Sequence, residues 1–128
     1  MHIPDDLLYT KEHEWVRIKD KTATVGITDY AQTSLGDITF VDLPKVGTAM
    51  EQFKQYATVE SVKAASDVYA PVSGKVVKAN EDLTAHPELI NQSPYDKGFF
   101  AVVETANEKD AFNLMKPADY KKYVEGLS

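Results

Sequence analysis

Residues 59–68 read VESVKAASDV and place one lysine, Lys63, between two carboxylates, Glu60 and Asp67, in a segment whose flanks alternate as strands do. One hairpin register pairs Ala57 with Ala70, Val59 with Val68 and Ser61 with Ser66, so a small-residue face packs inward. The opposite face carries Thr58/Tyr69, Glu60/Asp67 and Val62/Ala65. Lys63 and Ala64 then form the tip, as a two-residue turn or as the centre of a four-residue loop. Neither favours positive φ, which the common two-residue turns require and which costs a residue with a Cβ about 1–2 kcal/mol. Glu60 facing Asp67 adds a like-charge penalty of up to about 1 kcal/mol. Two local rules broken around one exposed lysine point to a functional site.

A Schiff-base lysine needs a lowered pKa, from a desolvated pocket or a neighbouring cation, and the flanking carboxylates push the other way. An amine at the apex of a stiff hairpin is instead suited to attachment. A carboxylic acid joined to it as an amide removes the charge and hangs a flexible arm from a rigid base. The other cluster with chemical potential is Glu12-His13-Glu14-Trp15. Its spacing is not that of a metal helix, His2 and His86 are remote, and no Gly-rich strand-to-helix loop is present to hold a phosphate. Hydrolytic and metal-dependent chemistry are therefore disfavoured. Glu14 taken alone reads as a solvated residue at the start of a strand, and Trp15 as a core or rim aromatic.

The 128 residues suffice for a core without staples, and the absence of cysteine removes disulfides, thiolate metal sites and a cysteine nucleophile. Sulfur redox chemistry must come from outside the chain. The net charge of −6 argues against nucleic acid or an anionic membrane and favours a partner with basic patches. The first residues, MHIPDDLLYTKEHEW, lack the basic start and apolar core of a secretory signal and are too acidic for a transit peptide. The expectation is a bacterial-type cytoplasmic protein, or a mitochondrial matrix protein whose presequence has been removed. No linker divides residues 1–128, so a single domain is expected, with the attachment hairpin at about 57–70.

Residues 14–19 (EWVRIK) and 22–27 (TATVGI) read as a hairpin. Thr28 as N-cap, Asp29 in the first turn and Gly36 as stop predict a two-turn helix between them. Strand character returns at 38–43, 75–78 and 99–104, while 50–56 has no clear type and 87–90 reads as one helical turn. Residues 117–126 open with Pro117 and close with Gly126, and Tyr120, Tyr123 and Val124 form one stripe of a C-terminal helix. Many short strands with a few small helices predict a mainly β sandwich or flattened barrel.

The sequence resembles the H protein of the glycine cleavage system. The resemblance is carried by residues 9–16 (YTKEHEWV), 23–32 (ATVGITDYAQ), 35–37 (LGD), 40–47 (FVDLPKVG), 59–67 (VESVKAASD), 70–74 (APVSG) and 88–98 with its SPYDKG loop. These follow one another in order over most of the first hundred residues. Two departures are Tyr56-Ala57, where the family usually has a glycine, and Phe99, where it commonly has tryptophan.

The resemblance implies a barrel-sandwich hybrid related to biotinyl and lipoyl domains, with (R)-lipoate in amide linkage to Lys63. It implies a non-catalytic carrier whose arm takes an aminomethyl group from glycine decarboxylase, a pyridoxal phosphate enzyme. The arm passes it to aminomethyltransferase and is reoxidised by dihydrolipoamide dehydrogenase. A lipoate ligase or a lipoyl/octanoyl transferase would attach the group, recognising Glu60, Ser61 and Asp67. Glu14, Leu35 and Asp67 match positions that shelter the folded-back arm, where a carboxylate can pair with an amine. A biotin carrier generally has methionines flanking its lysine, whereas Val62 and Ala64 stand here. A lipoyl domain of a 2-oxoacid dehydrogenase would be shorter and sit beside a linker. An H-like protein relaying lipoyl groups to other enzymes, and an unmodified β-sandwich binding module, are the remaining alternatives.

Overall fold

In the computed structural model, which describes residues 1–127, the chain runs β1 (Leu8–Tyr9), β2 (Glu14–Lys19), β3 (Thr22–Ile27), α1 (Asp29–Leu35), β4 (Ile38–Asp42), β5 (Ala49–Met50), β6 (Gln55–Ser61), β7 (Ala65–Tyr69), β8 (Gly74–Ala79), α2 (Asp82–Ala85), α3 (Leu89–Gln92), β9 (Ala101–Thr105) and α4 (Pro117–Glu125), with a 3₁₀ stretch Glu108–Asn113 before α4. A six-stranded sheet has the order β1-β2-β3-β9-β8-β5 and a three-stranded sheet the order β4-β6-β7, with every pairing antiparallel. The expected mainly β architecture with short helices and a C-terminal helix is what forms.

Alternating apolar residues account for the packing. Val16, Val25, Val72, Val76 and Val103 fill the core under the large sheet. Ile38, Val41, Ala57, Val59 and Val68 of the small sheet bury against Ile27, Leu83, Ile90 and Phe100. A third cluster of Leu7, Tyr9, Trp15, Tyr95, Tyr120 and Val124 seats α4, and Tyr9 stacks on Tyr120 at 4.5 Å between centroids. Trp15 lies over Gly26, where an added Cβ would stand 2.7 Å from the indole, so only glycine admits this ring.

Thr28 caps α1 by accepting from the Ala31 N–H at 3.2 Å, and Gly36 ends it at φ 79°. The single turn expected at 87–90 is instead two short helices, each burying one apolar residue, Leu83 and Ile90. The untyped segment before β6 is a short strand and a turn in which Phe53 takes φ 68°.

Candidate functional site

The hairpin β6–β7 places Thr58 opposite Asp67, Val59 opposite Ser66 and Glu60 opposite Ala65. This differs by two residues from the register expected from the sequence. A shift of two leaves every side chain on its face, and Ala57, Val59 and Val68 are buried as the alternation requires. Glu60 and Asp67 are diagonal to one another and not directly opposite, so the expected face-to-face pairing of the two carboxylates does not form. Glu60 lies between Phe40 and Ala65 on the exposed face, and Asp67 accepts from the Gln55 side chain at 2.9 Å.

The register also explains the tip. Val62 and Lys63 are its centre, and Val62, Lys63 and Ala64 all keep negative φ, so the expected conflict with turn geometry does not arise. Ser61 builds the turn. Its Oγ accepts from the N–H groups of Lys63 at 3.3 Å and Ala64 at 3.1 Å, and its own N–H donates to the Ala64 carbonyl at 2.7 Å. The Val62 N–H donates to the Asp37 carbonyl at 3.1 Å, tethering the tip to the loop after α1. Asn91 braces that loop, donating to the Gly36 carbonyl and accepting from the Ile38 N–H, both at 2.9 Å. Lys63 is exposed, and its stem passes 3.5 Å from where a Cβ on Gly36 would stand. The hairpin thus presents one amine on a braced support beside the end of α1, where Leu35 is half-buried.

Glu14 is not the solvated residue that its polar neighbours suggest: it is 2 % exposed. It shares a face of β2 with the core residue Val16, and this alternation is the signal that could have placed it inward. The Thr10 hydroxyl donates to Glu14 Oε1 and accepts from the Glu14 N–H, while the Tyr69 N–H of β7 donates to Oε2 at 3.2 Å. Burial pushes the carboxyl from an ordinary 4.5 up to about 7, against the pull of these hydrogen bonds, and Glu12 adds a push the same way. Glu14 lines a cavity of about 620 Å³ together with Thr10, Phe53, Tyr69 and Met115. Sequence reasoning missed Thr10, Phe53, Tyr69 and Asn91: the Thr10 hydroxyl, the Asn91 amide and the Tyr69 N–H find their partners, and the Phe53 ring its cavity, only where the chain folds back on itself.

His13 turns away from this cavity. Its ring packs on Tyr30 and its Nδ1 lies 2.9 Å from the Tyr120 hydroxyl, which lies 2.8 Å from Thr28 Oγ1. Burial lowers its pKa from 6.5. Among the described residues no group of three or more His, Asp or Glu side chains could hold a metal ion.

The model of the glycine cleavage H-protein family matches residues 7–126. The chain belongs to that family. It is 49% identical over 125 residues to the glycine cleavage system H protein of Halothermothrix orenii, with 98% of each chain covered. It is 50% identical over 123 residues to that of Carboxydothermus hydrogenoformans, covering 96% of this chain and 95% of the relative. The crystal structure of the H protein from Mycobacterium marinum superposes with a TM-score of 0.84 at 34% identity, with 98% of each chain covered. The H-protein reading of the sequence, a lipoyl carrier of the glycine cleavage system, holds at the level of the family. Among the described residues no helix is long and apolar enough to cross a membrane.

Proposed function

We propose that residues 1–128 act as one non-catalytic carrier domain of the glycine cleavage system, with lipoate in amide linkage to Nζ of Lys63. The observation that carries this reading is the placement of a single exposed lysine at the apex of a hairpin whose other end, at Tyr69, holds a buried carboxylate on a cavity. The residues present fit the group. The Lys63 amine is accessible for acylation, and the cavity opens beside the strand that leads away from it. The group supplies a disulfide that accepts a one-carbon amine fragment with its electrons, chemistry that a chain without cysteine lacks.

The chain's own residues position and protect. Ser61 fixes the tip from which the arm pivots, and the Asp37 carbonyl keeps the tip from swinging. Exposed Glu60 and Asp67 flank the tip with negative charge that a basic lipoate ligase or lipoyl/octanoyl transferase can read, and Ser61 sets the backbone those enzymes meet. Glu14 receives a cationic amine: the cation stabilises the ionised carboxylate that burial otherwise disfavours. Neither Leu35 nor Asp67 lines the cavity; Leu35 offers an apolar contact near the tip, and exposed Asp67 adds charge on the strand between the tip and Tyr69. The partners are glycine decarboxylase, aminomethyltransferase and dihydrolipoamide dehydrogenase, met in the cytoplasm.

A reconstituted assay tests the role. Glycine-dependent release of carbon dioxide by glycine decarboxylase is expected with the lipoylated chain and not with a Lys63→Arg variant carried through the same lipoylation step. Carbon dioxide release that does not depend on Lys63 would contradict it. Lipoyl transfer to a 2-oxoacid dehydrogenase domain without glycine cleavage would favour the relay.

A further inference from the structure

Phe53 has a backbone conformation that its position in the core does not explain. Its φ of 68° lies in the left-handed region, unfavourable for an aromatic residue. Its side chain is 50 % exposed and belongs to none of the three buried clusters. His13 and Asp20 are the other non-glycine residues with positive φ among those described, and each has a local reason. The His13 ring packs among Tyr30, Tyr120 and Tyr123, and Asp20 turns the β2–β3 hairpin.

The conformation is enforced from both sides. The Phe53 N–H donates to the Ala70 carbonyl at 2.7 Å, and the Lys54 carbonyl accepts from the Ala70 N–H at 2.8 Å. One residue earlier, Gln52 donates through its N–H to Ser73 Oγ at 2.9 Å and through its side chain to the carbonyls of Pro71 at 2.9 Å and Asp110 at 2.8 Å. So many fixed partners leave the backbone no relaxed alternative, and strain held in this way is a feature of ligand-holding sites. The side chain it aims outward lines the same cavity as Glu14, Tyr69 and Met115. Ala70, whose peptide pins Phe53, directly follows Tyr69, whose N–H holds the Glu14 carboxylate.

We propose that Phe53 is the apolar wall of the cavity that Glu14 serves with charge: its ring covers the hydrocarbon and sulfur part of the group delivered from Lys63 and keeps water from the amine end. This rests on the carrier reading given above. An aromatic face suits that part of the ligand, since sulfur and methylene groups both pack favourably against a ring. A ring recruited for this purpose is of no use to the core, which accounts for its exposure in the free chain.

Two substitutions separate the ring from the strain. Phe53→Ala removes the ring and keeps a Cβ at positive φ, whereas Phe53→Gly removes both. Wild type, both variants and Phe53→Leu are lipoylated, charged with glycine by glycine decarboxylase and separated from it. Mass spectrometry confirms the charge before ammonia release into plain buffer is timed, and thermal unfolding of the unmodified proteins is measured in parallel. The expected result is several-fold faster ammonia release from Phe53→Gly and Phe53→Ala, near wild-type release from Phe53→Leu, and a melting temperature for Phe53→Gly a few degrees above that of Phe53→Ala. Equal release from charged wild type, Phe53→Gly and Phe53→Ala overturns this inference alone, as does a melting temperature for Phe53→Gly at or below that of Phe53→Ala. Failure of wild type to take the charge overturns the carrier reading and this inference with it.

Discussion

The Tyr69 N–H donates to Glu14 Oε2 at 3.2 Å, so the strand descending from the Lys63 turn holds one oxygen of a buried carboxylate. The other oxygen is held by Thr10, four residues upstream of Glu14. The Lys63 hairpin and the N-terminal turn therefore meet on one acid.

The burial of that acid gives stability a pH dependence. Glu14 titrates near 4.5 when unfolded and near 7 when folded, so between these values the folded state binds the extra proton. Stability from this group is present below about 4.5 and is lost as pH rises through about 7. Glu14→Gln, neutral throughout, removes the dependence. The difference in unfolding free energy between wild type and Glu14→Gln should swing by about 3 kcal/mol across that window, measured by urea unfolding at a series of pH values.

Ser61→Ala removes the hydroxyl that accepts from Lys63 and Ala64. A stability loss of about 1 kcal/mol is expected, with slower lipoylation at saturating lipoate, because the tip loses its fixed shape. Ser61→Thr, which keeps the hydroxyl, should restore most of the rate.

Asn91→Ala leaves the Gly36 carbonyl and the Ile38 N–H without their side-chain partner. The expected cost is about 2 kcal/mol, and faster amide exchange at Val62 should accompany it, since the Asp37 carbonyl that receives this N–H sits between the two.

With a net charge of −6 and acidic residues flanking the tip, association with glycine decarboxylase should weaken as salt is added, chiefly through a slower on-rate. An affinity unchanged between low and high ionic strength would contradict a charge-steered encounter.

Much of this arrangement was legible in the sequence where periodicity decides. The alternation through residues 57–70 fixed which side chains turn inward, because a strand has a period of two. The same period made the register ambiguous by two residues, and the Ser61 hydroxyl resolved it. The caps of α1 were legible from Thr28 and Gly36, and the seat of α4 from the spacing of Tyr120, Tyr123 and Val124. Glu14 was misread when taken alone because Lys11, Glu12 and His13 precede it, although its parity with Val16 pointed inward. The strain at Phe53 and the reach of Asn91 to Gly36 arise from chain crossings between distant segments, which no local pattern encodes.

Attachment at Lys63 is the claim on which the rest depends. Intact mass with peptide mapping, before and after incubation with lipoate, ATP and a ligase proven on another H protein, measures it directly, with Lys63→Ala as control. A single lipoyl increment mapped to Lys63 and absent from the control is the predicted result. No increment, or one mapped to another lysine, would contradict the account.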